Sequence, residues 1–196
     1  MASFALARRW QTMHRRSHIF CNEPMGGVVR TLMLATIFAV FASESMAGGL
    51  LTHCEREEEV FFSCEIEDSG KTVSLCGRSD EFASPVWAQY RFGVVGRAEL
   101  IFPSSTDDSL DRFGGVSQSA KAIGLVIQEV WFKVGAYDYL IEHVSGGDCD
   151  GACKDTNGLV VFKRGNVVAT LSCGPQVINN LAGLYGHISD DQSGRP

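Results

Sequence analysis

Apolar residues between positions 60 and 173 fall into short runs divided by turn residues. VFFSCEI (60–66) and TVSLC (72–76) flank Asp68, Ser69 and Gly70. VWAQYRF (86–92) and AELIF (98–102) flank residues 93–97, AIGLVIQEVWFKV (122–134) and AYDYLIEHV (136–144) meet at Gly135, and LVVFK (159–163) and VVATLSC (167–173) flank Arg164, Gly165 and Asn166. Glycine at such points supplies the positive φ of tight hairpin turns. No segment of useful length before residue 175 shows a helical period. The pattern therefore predicts an all-β chain of about eight antiparallel strands in hairpins, forming a small barrel or sandwich. Residues 103–120 (PSSTDDSLDRFGGVSQSA) are rich in Ser, Gly and Asp and predict a long linker, a kind of segment that is usually functional or mobile. Residues 176–184 leave room for a helical turn or two, and 186–196 predict a flexible tail.

Upstream of the hairpins, Thr31 to Ala42 read TLMLATIFAVFA, with Arg30 before and small residues after. Ser45 and Ala47 occupy the third and first positions before a secretory cleavage site at Gly48. A helix of that length rises only about 18 Å against a hydrocarbon core of about 30 Å, which favours a cleaved signal over a stable membrane anchor. Met25 lies at the right distance to be the true start. The first candidate for a lipoprotein anchor, Cys54, follows His53, which does not fit that signal. The expected organisation is an N-terminal extension and signal peptide over 1–47, a single secreted β domain over 48–185, and the tail over 186–196.

Export changes the charge and the cysteine count. The whole chain carries 17 basic and 23 acidic residues and seven cysteines. Residues 1–47 hold five of the basic residues, two of the acidic ones and Cys21, so residues 48–196 carry 12 against 21, a net −9, and six cysteines. That acidity argues against a nucleic-acid binder acting through phosphates and favours a cationic protein partner. An even cysteine count in an exported chain reads as a disulfide framework, with periplasmic or secreted localisation. Six cysteines allow 15 pairings and the sequence does not choose among them. The hairpins suggest Cys64–Cys76 across the first pair of arms and Cys149–Cys153 within one loop. This leaves Cys54–Cys173 to join the start of the domain to its last strand.

The search for catalytic and metal chemistry is largely negative. There is no G-x-S-x-G, no H-E-x-x-H and no phosphate-cradling glycine loop. Cys149 and Cys153 lack a second close ligand pair for zinc. Residues 148–158 place Asp and Asn around glycines but lack the terminal glutamate of a calcium loop, so turn chemistry explains them. No metal or cofactor is expected. His143, near Asp138 and Glu142 and with Ser117 as a conceivable nucleophile, is the one catalytic candidate, and a surface or core-edge histidine is the stronger reading.

The late hairpin Leu159 to Cys173, closed by that cysteine, and the early cysteine of a short exported β domain resemble the periplasmic C-type lysozyme inhibitors. The match covers the last third of the chain. That resemblance implies a small antiparallel barrel that inserts a Ser- and Lys-containing loop into the lysozyme cleft. Ser117, Gln118, Ser119, Ala120 and Lys121 form the stretch similar to that loop, without the family's glycines and closing tyrosine. FFSCEIEDSGKTVSLC and YRFG also resemble a group of small secreted bacterial proteins of unassigned activity. The leading expectation is an exported, disulfide-bonded, non-enzymatic binding domain. It would inhibit a cationic cell-wall hydrolase such as lysozyme, with Ser117, Ser119 and Lys121 engaging the partner. An envelope structural or interaction protein is the alternative, and a hydrolase using His143 the third reading.

Overall fold

A computed structural model describes residues 51–148 and 153–196. The signal segment, Met25 and the cleavage site at 45–48 lie outside the described residues, as does Cys149. Each alternating run becomes a strand: β1 (Glu59–Ile66), β2 (Thr72–Ser79), β3 (Pro85–Val94), β4 (Arg97–Phe102), β6 (Leu125–Val134), β7 (Tyr137–Ser145), β8 (Thr156–Lys163) and β9 (Asn166–Asn179). A ninth strand, β5 (Gly114–Ala120), lies inside the segment read as a linker. The fold is all-β and the strand order is β4-β3-β2-β1-β9-β8-β7-β6-β5, antiparallel throughout. Two meanders, β1–β4 and β5–β8, thus share β9.

These meanders face each other across the core. Phe132 of β6 has its ring centroid 4.7 Å from that of Tyr90 on β3 and 5.0 Å from that of Phe102 on β4. In a flat sheet β3 and β6, six strand steps apart, would lie roughly 29 Å from each other. The sheet is therefore folded over on itself, and Phe132 also packs on Phe113 and Tyr139. The outer strands β4 and β5 do not pair, so the sheet remains open. Along that gap Phe113 is buried, and the β4–β5 connection meets β3 where Ser109 Oγ accepts from the Ala88 N–H.

β5 has none of the alternation that marks its neighbours, and close packing on it requires small residues. A Cβ at Gly114 would fall inside the Trp131 indole, and one at Gly115 would strike Ile188. The expected tail is instead docked. Leu181, Leu184 and Ile188 are buried, Ser189 bridges Gly114 in parallel, and Arg195 pairs with the buried Glu129 at 2.6 Å. The helical turns expected over 176–184 reduce to one 3-10 turn, Leu181–Gly183, after β9 has run on to Asn179.

The disulfide pairing also differs from the expectation. The bonds are Cys54–Cys76 and Cys64–Cys173. Cys64 lies opposite Val73, and Cys76, three residues further along β2, points to the other face, so the two cannot meet across the hairpin. Cys64 faces the core beside β9, while Cys76 faces the segment that carries Cys54. Cys153 is disulfide-bonded as well. The closed spans are 109 residues for Cys64–Cys173 and 22 for Cys54–Cys76. In the chain-entropy account, replacing both members by Ala should cost about 5 kcal/mol for the first bond and about 3 kcal/mol for the second. Urea denaturation of the two double variants measures that ordering.

Candidate functional site

Ser117 and Ser119 lie on β5, and Lys121 opens the 3-10 turn Lys121–Ile123 that follows it. All three are exposed. The stretch is an edge strand rather than a projecting loop, because β5 pairs in unbroken register with β6 from Gly114↔Trp131 to Ala120↔Leu125. Across the sheet the register aligns Ser117, Gln128, His143 and Asn157 in one row. His143 Nδ1 lies 2.7 Å from Asn157 Oδ1, and Gln128 Oε1 accepts from Asn179 Nδ2 at 2.8 Å. Ser117 stands two strands from His143, roughly 10 Å, so the pair is not assembled for proton transfer. Asp138 pairs with Lys133, and Glu142, adjacent to His143 on the strand, points to the opposite face.

The most ordered polar cluster lies on the outer face of β1–β3, under residues 51–58. Arg91 Nη1 and Nη2 donate to the two oxygens of Glu58 at 2.6 and 2.7 Å, Nη1 also donates to the His53 carbonyl, and Nε donates to Gln89 Oε1. Ser63 donates to the Leu51 carbonyl, and Ser74 Oγ accepts from the His53 N–H. Alternation places Ser63, Ser74, Cys76, Gln89 and Arg91 on this one face, and the Cys54–Cys76 bond fastens the segment over them. One oxygen of Glu58 and the two sulfurs lie within 4.8 Å of one another. The sulfurs are bonded together and the carboxylate is held by Arg91, so the group serves as a clamp. Burial raises the Glu58 pKa, but hydrogen bonds from Arg91 and the Glu55 N–H and the charge of Arg91 outweigh it and hold it below the usual value.

Two clefts flank the point where β9 passes from β8 to β1. One, of about 610 Å³, is lined by Leu51, Glu65, Ile66, Glu67, Asp68 and residues 174–176. The other, also about 610 Å³, shares Glu67 and Pro175 and adds Lys154 and Asp155. Glu65, Glu67 and Asp68 are exposed and form no ion pair among the described residues.

Around Glu129 the tail forms a second ionic contact. Glu142 lies directly opposite Glu129, and its pKa is raised, first by burial and then by that like charge, with Arg195 opposing. Neither part-buried pair, Arg91–Glu58 or Arg195–Glu129, has a local sequence signature, since the partners lie 33 and 66 residues apart.

Among the described residues no helix is long and apolar enough to cross a membrane. The two disulfides fit an oxidising, extracytoplasmic environment. Comparison with protein-family models, with curated proteins and with solved structures returns no match.

Two outcomes follow from the paired carboxylates. A carboxylate with a depressed folded pKa contributes stability above the ordinary carboxylate range and loses it as pH falls through the lowered value. Glu58→Gln should therefore destabilise at pH 7, by about 1.5–3 kcal/mol for a part-buried, charge-assisted pair, and flatten the loss of stability below about pH 4.5. Urea unfolding at a series of pH values reads both effects. Arg195→Ala should speed amide exchange at Gly115 and Ser189 at least tenfold while β6–β7 ladder amides keep their rates, because only the tail loses its anchor.

Proposed function

We propose that the domain is an exported, disulfide-bonded, non-enzymatic binding module for a cationic protein, with a cell-wall hydrolase such as lysozyme as the leading partner. The observation that carries this reading is an acidic surface left uncompensated by the fold. Among the described residues only Glu58, Glu99, Glu129 and Asp138 form ion pairs, while residues 48–196 carry a net −9. Carboxylates without internal partners project a field that steers a basic protein towards the surface and makes its capture salt-dependent. Glu65, Glu67 and Asp68 concentrate that charge along a cleft of about 610 Å³. The resemblance of the late hairpin to periplasmic lysozyme inhibitors supports the same partner and a periplasmic or secreted location. Ser117, Ser119 and Lys121 are exposed on β5 and the turn after it, away from this cleft, and the charge-driven contact does not use them. His143, tied to Asn157, serves a structural role in this reading.

Calorimetric titration of the purified domain with a basic C-type lysozyme tests the proposal. Saturable binding should weaken steeply between 50 and about 200 mM salt. Glu65→Lys, Glu67→Lys and Asp68→Lys together should weaken it at least tenfold, and His143→Ala should leave it unchanged. No binding at low salt, or equal binding by the triple variant, would sink the reading.

A further inference from the structure

β5 is an edge strand, and beyond Gly115 its outer side pairs with no other strand among the described residues. In the antiparallel β5–β6 ladder, residues bond alternately to β6 and away from it. The Gly115 N–H donates to the Ser189 carbonyl at 2.9 Å, and the Ser189 N–H donates to the Phe113 carbonyl at 3.2 Å. These outward bonds fix the phase: the N–H and C=O groups of Ser117 and Ser119 also point away from β6. No register shift interrupts the strand, and among the described residues no backbone or side-chain group satisfies them. The opposite edge is guarded differently. β4 carries the charged Arg97 and Glu99 and ends at Pro103, all features that discourage strand addition. β5 has no charge, proline or bulge between Gly114 and Ala120.

The chain's own tail shows what this edge accepts. It lays an extended segment beside Gly114 with Ile188 over Gly115, and Ser189, Asp190 and Asp191 follow, before the tail turns off across Trp131. Around the free part of the edge the sequence is basic. From Phe113 to Gln128 the chain has no acidic residue, and Arg112 and Lys121 stand at the two ends of β5. Beyond about 8 Å the remaining acidic surface is screened at physiological ionic strength, so these local cations set the preference.

We infer that β5 docks an extended, carboxylate-bearing peptide segment of a partner protein by strand addition at Ser117 and Ser119. The carboxylates are received by Lys121 at the free end of the edge, while the C-terminal tail already holds its first part. This surface is separate from the acidic cleft at the β9 bend, and its preference for acidic peptides runs against the net charge of the domain.

The test uses the full domain, labelled for amide NMR, and two eight-residue probes, one alternating Thr and Glu and one alternating Thr and Lys. The Thr–Glu peptide should shift the Ser117 and Ser119 amides and protect them from exchange, with the Thr–Lys peptide at least tenfold weaker. Ser117→Pro removes an outward N–H and no ladder bond, and should abolish binding. Lys121→Glu, which leaves the backbone intact, should reverse the preference between the peptides. No protection at millimolar peptide, or equal binding by Ser117→Pro and wild type, overturns the inference. So does a dimer of the free protein that Ser117→Pro dissociates, which would assign the edge to a second copy. Lysozyme binding is read separately through the Glu65, Glu67 and Asp68 variants, so either proposal can fail without the other.

Discussion

Between Ser172 and Cys173, β9 changes partner. Gly158 of β8 lies opposite Ser172, and Ile66 of β1 lies opposite Cys173. Residues 174–176 then face the single residue Glu65, since the next aligned pair is Cys64↔Val177. Such a bulge bends a strand, and Pro175 suits its middle because it has no N–H to leave unpaired. Strands that switch sheets through bulges are how two sheets come to share a corner. Here the corner turns one meander over the other, and the Cys64–Cys173 bond lies directly at the switch. On the far side, where β4 and β5 do not pair, the connection over residues 103–113 and side-chain packing hold the two layers, with Phe132 against Tyr90, Phe102 and Phe113.

The edges and outer faces left by this arrangement explain the two appended segments. Residues 51–58 cover a polar row on β1–β3 and satisfy it fully: Arg91 alone makes four side-chain hydrogen bonds there. Buried charges of this kind are tolerable only with every donor placed, which is why a covalent clamp and a bidentate ion pair coincide at one spot. The C-terminal residues perform the equivalent task at the β5 edge, with apolar anchors at Leu181, Leu184 and Ile188 and one ion pair to Glu129. Both covers are short, and both leave neighbouring surfaces open: the acidic cleft beside Leu51 and the outer half of β5.

Eight of the nine strands were legible because alternation and glycine turns are local signals. β5 was not, since Gly114 to Ala120 contains only one large apolar residue, Val116, and its extended form comes from pairing with β6. The tail was misjudged for a related reason. Within it only Ile188 is a large apolar residue, too isolated to mark an element, and its burial depends on Gly115 of β5, just as the burial of Leu181 and Leu184 before it depends on the 3-10 turn Leu181–Gly183 meeting β1 and β6. Of the candidate site, Ser117, Ser119 and Lys121 could be picked out by residue type, but their presentation on a sheet edge could not.

The sequence by itself determined the all-β class, the positions of the hairpins, the net −9 of residues 48–196 and the cysteine inventory, because each depends on residues close together or on simple counting. Tertiary structure alone decided which cysteines bond, where Arg91 and Arg195 find their carboxylates, and which edges stay free. Those outcomes rest on strand register, where a one-residue change reverses the face a side chain occupies. Cys64 and Cys76 lie on the two arms of one hairpin, yet the three-position offset along β2 from Val73, opposite Cys64, to Cys76 turns them to opposite faces and sends each to a different partner.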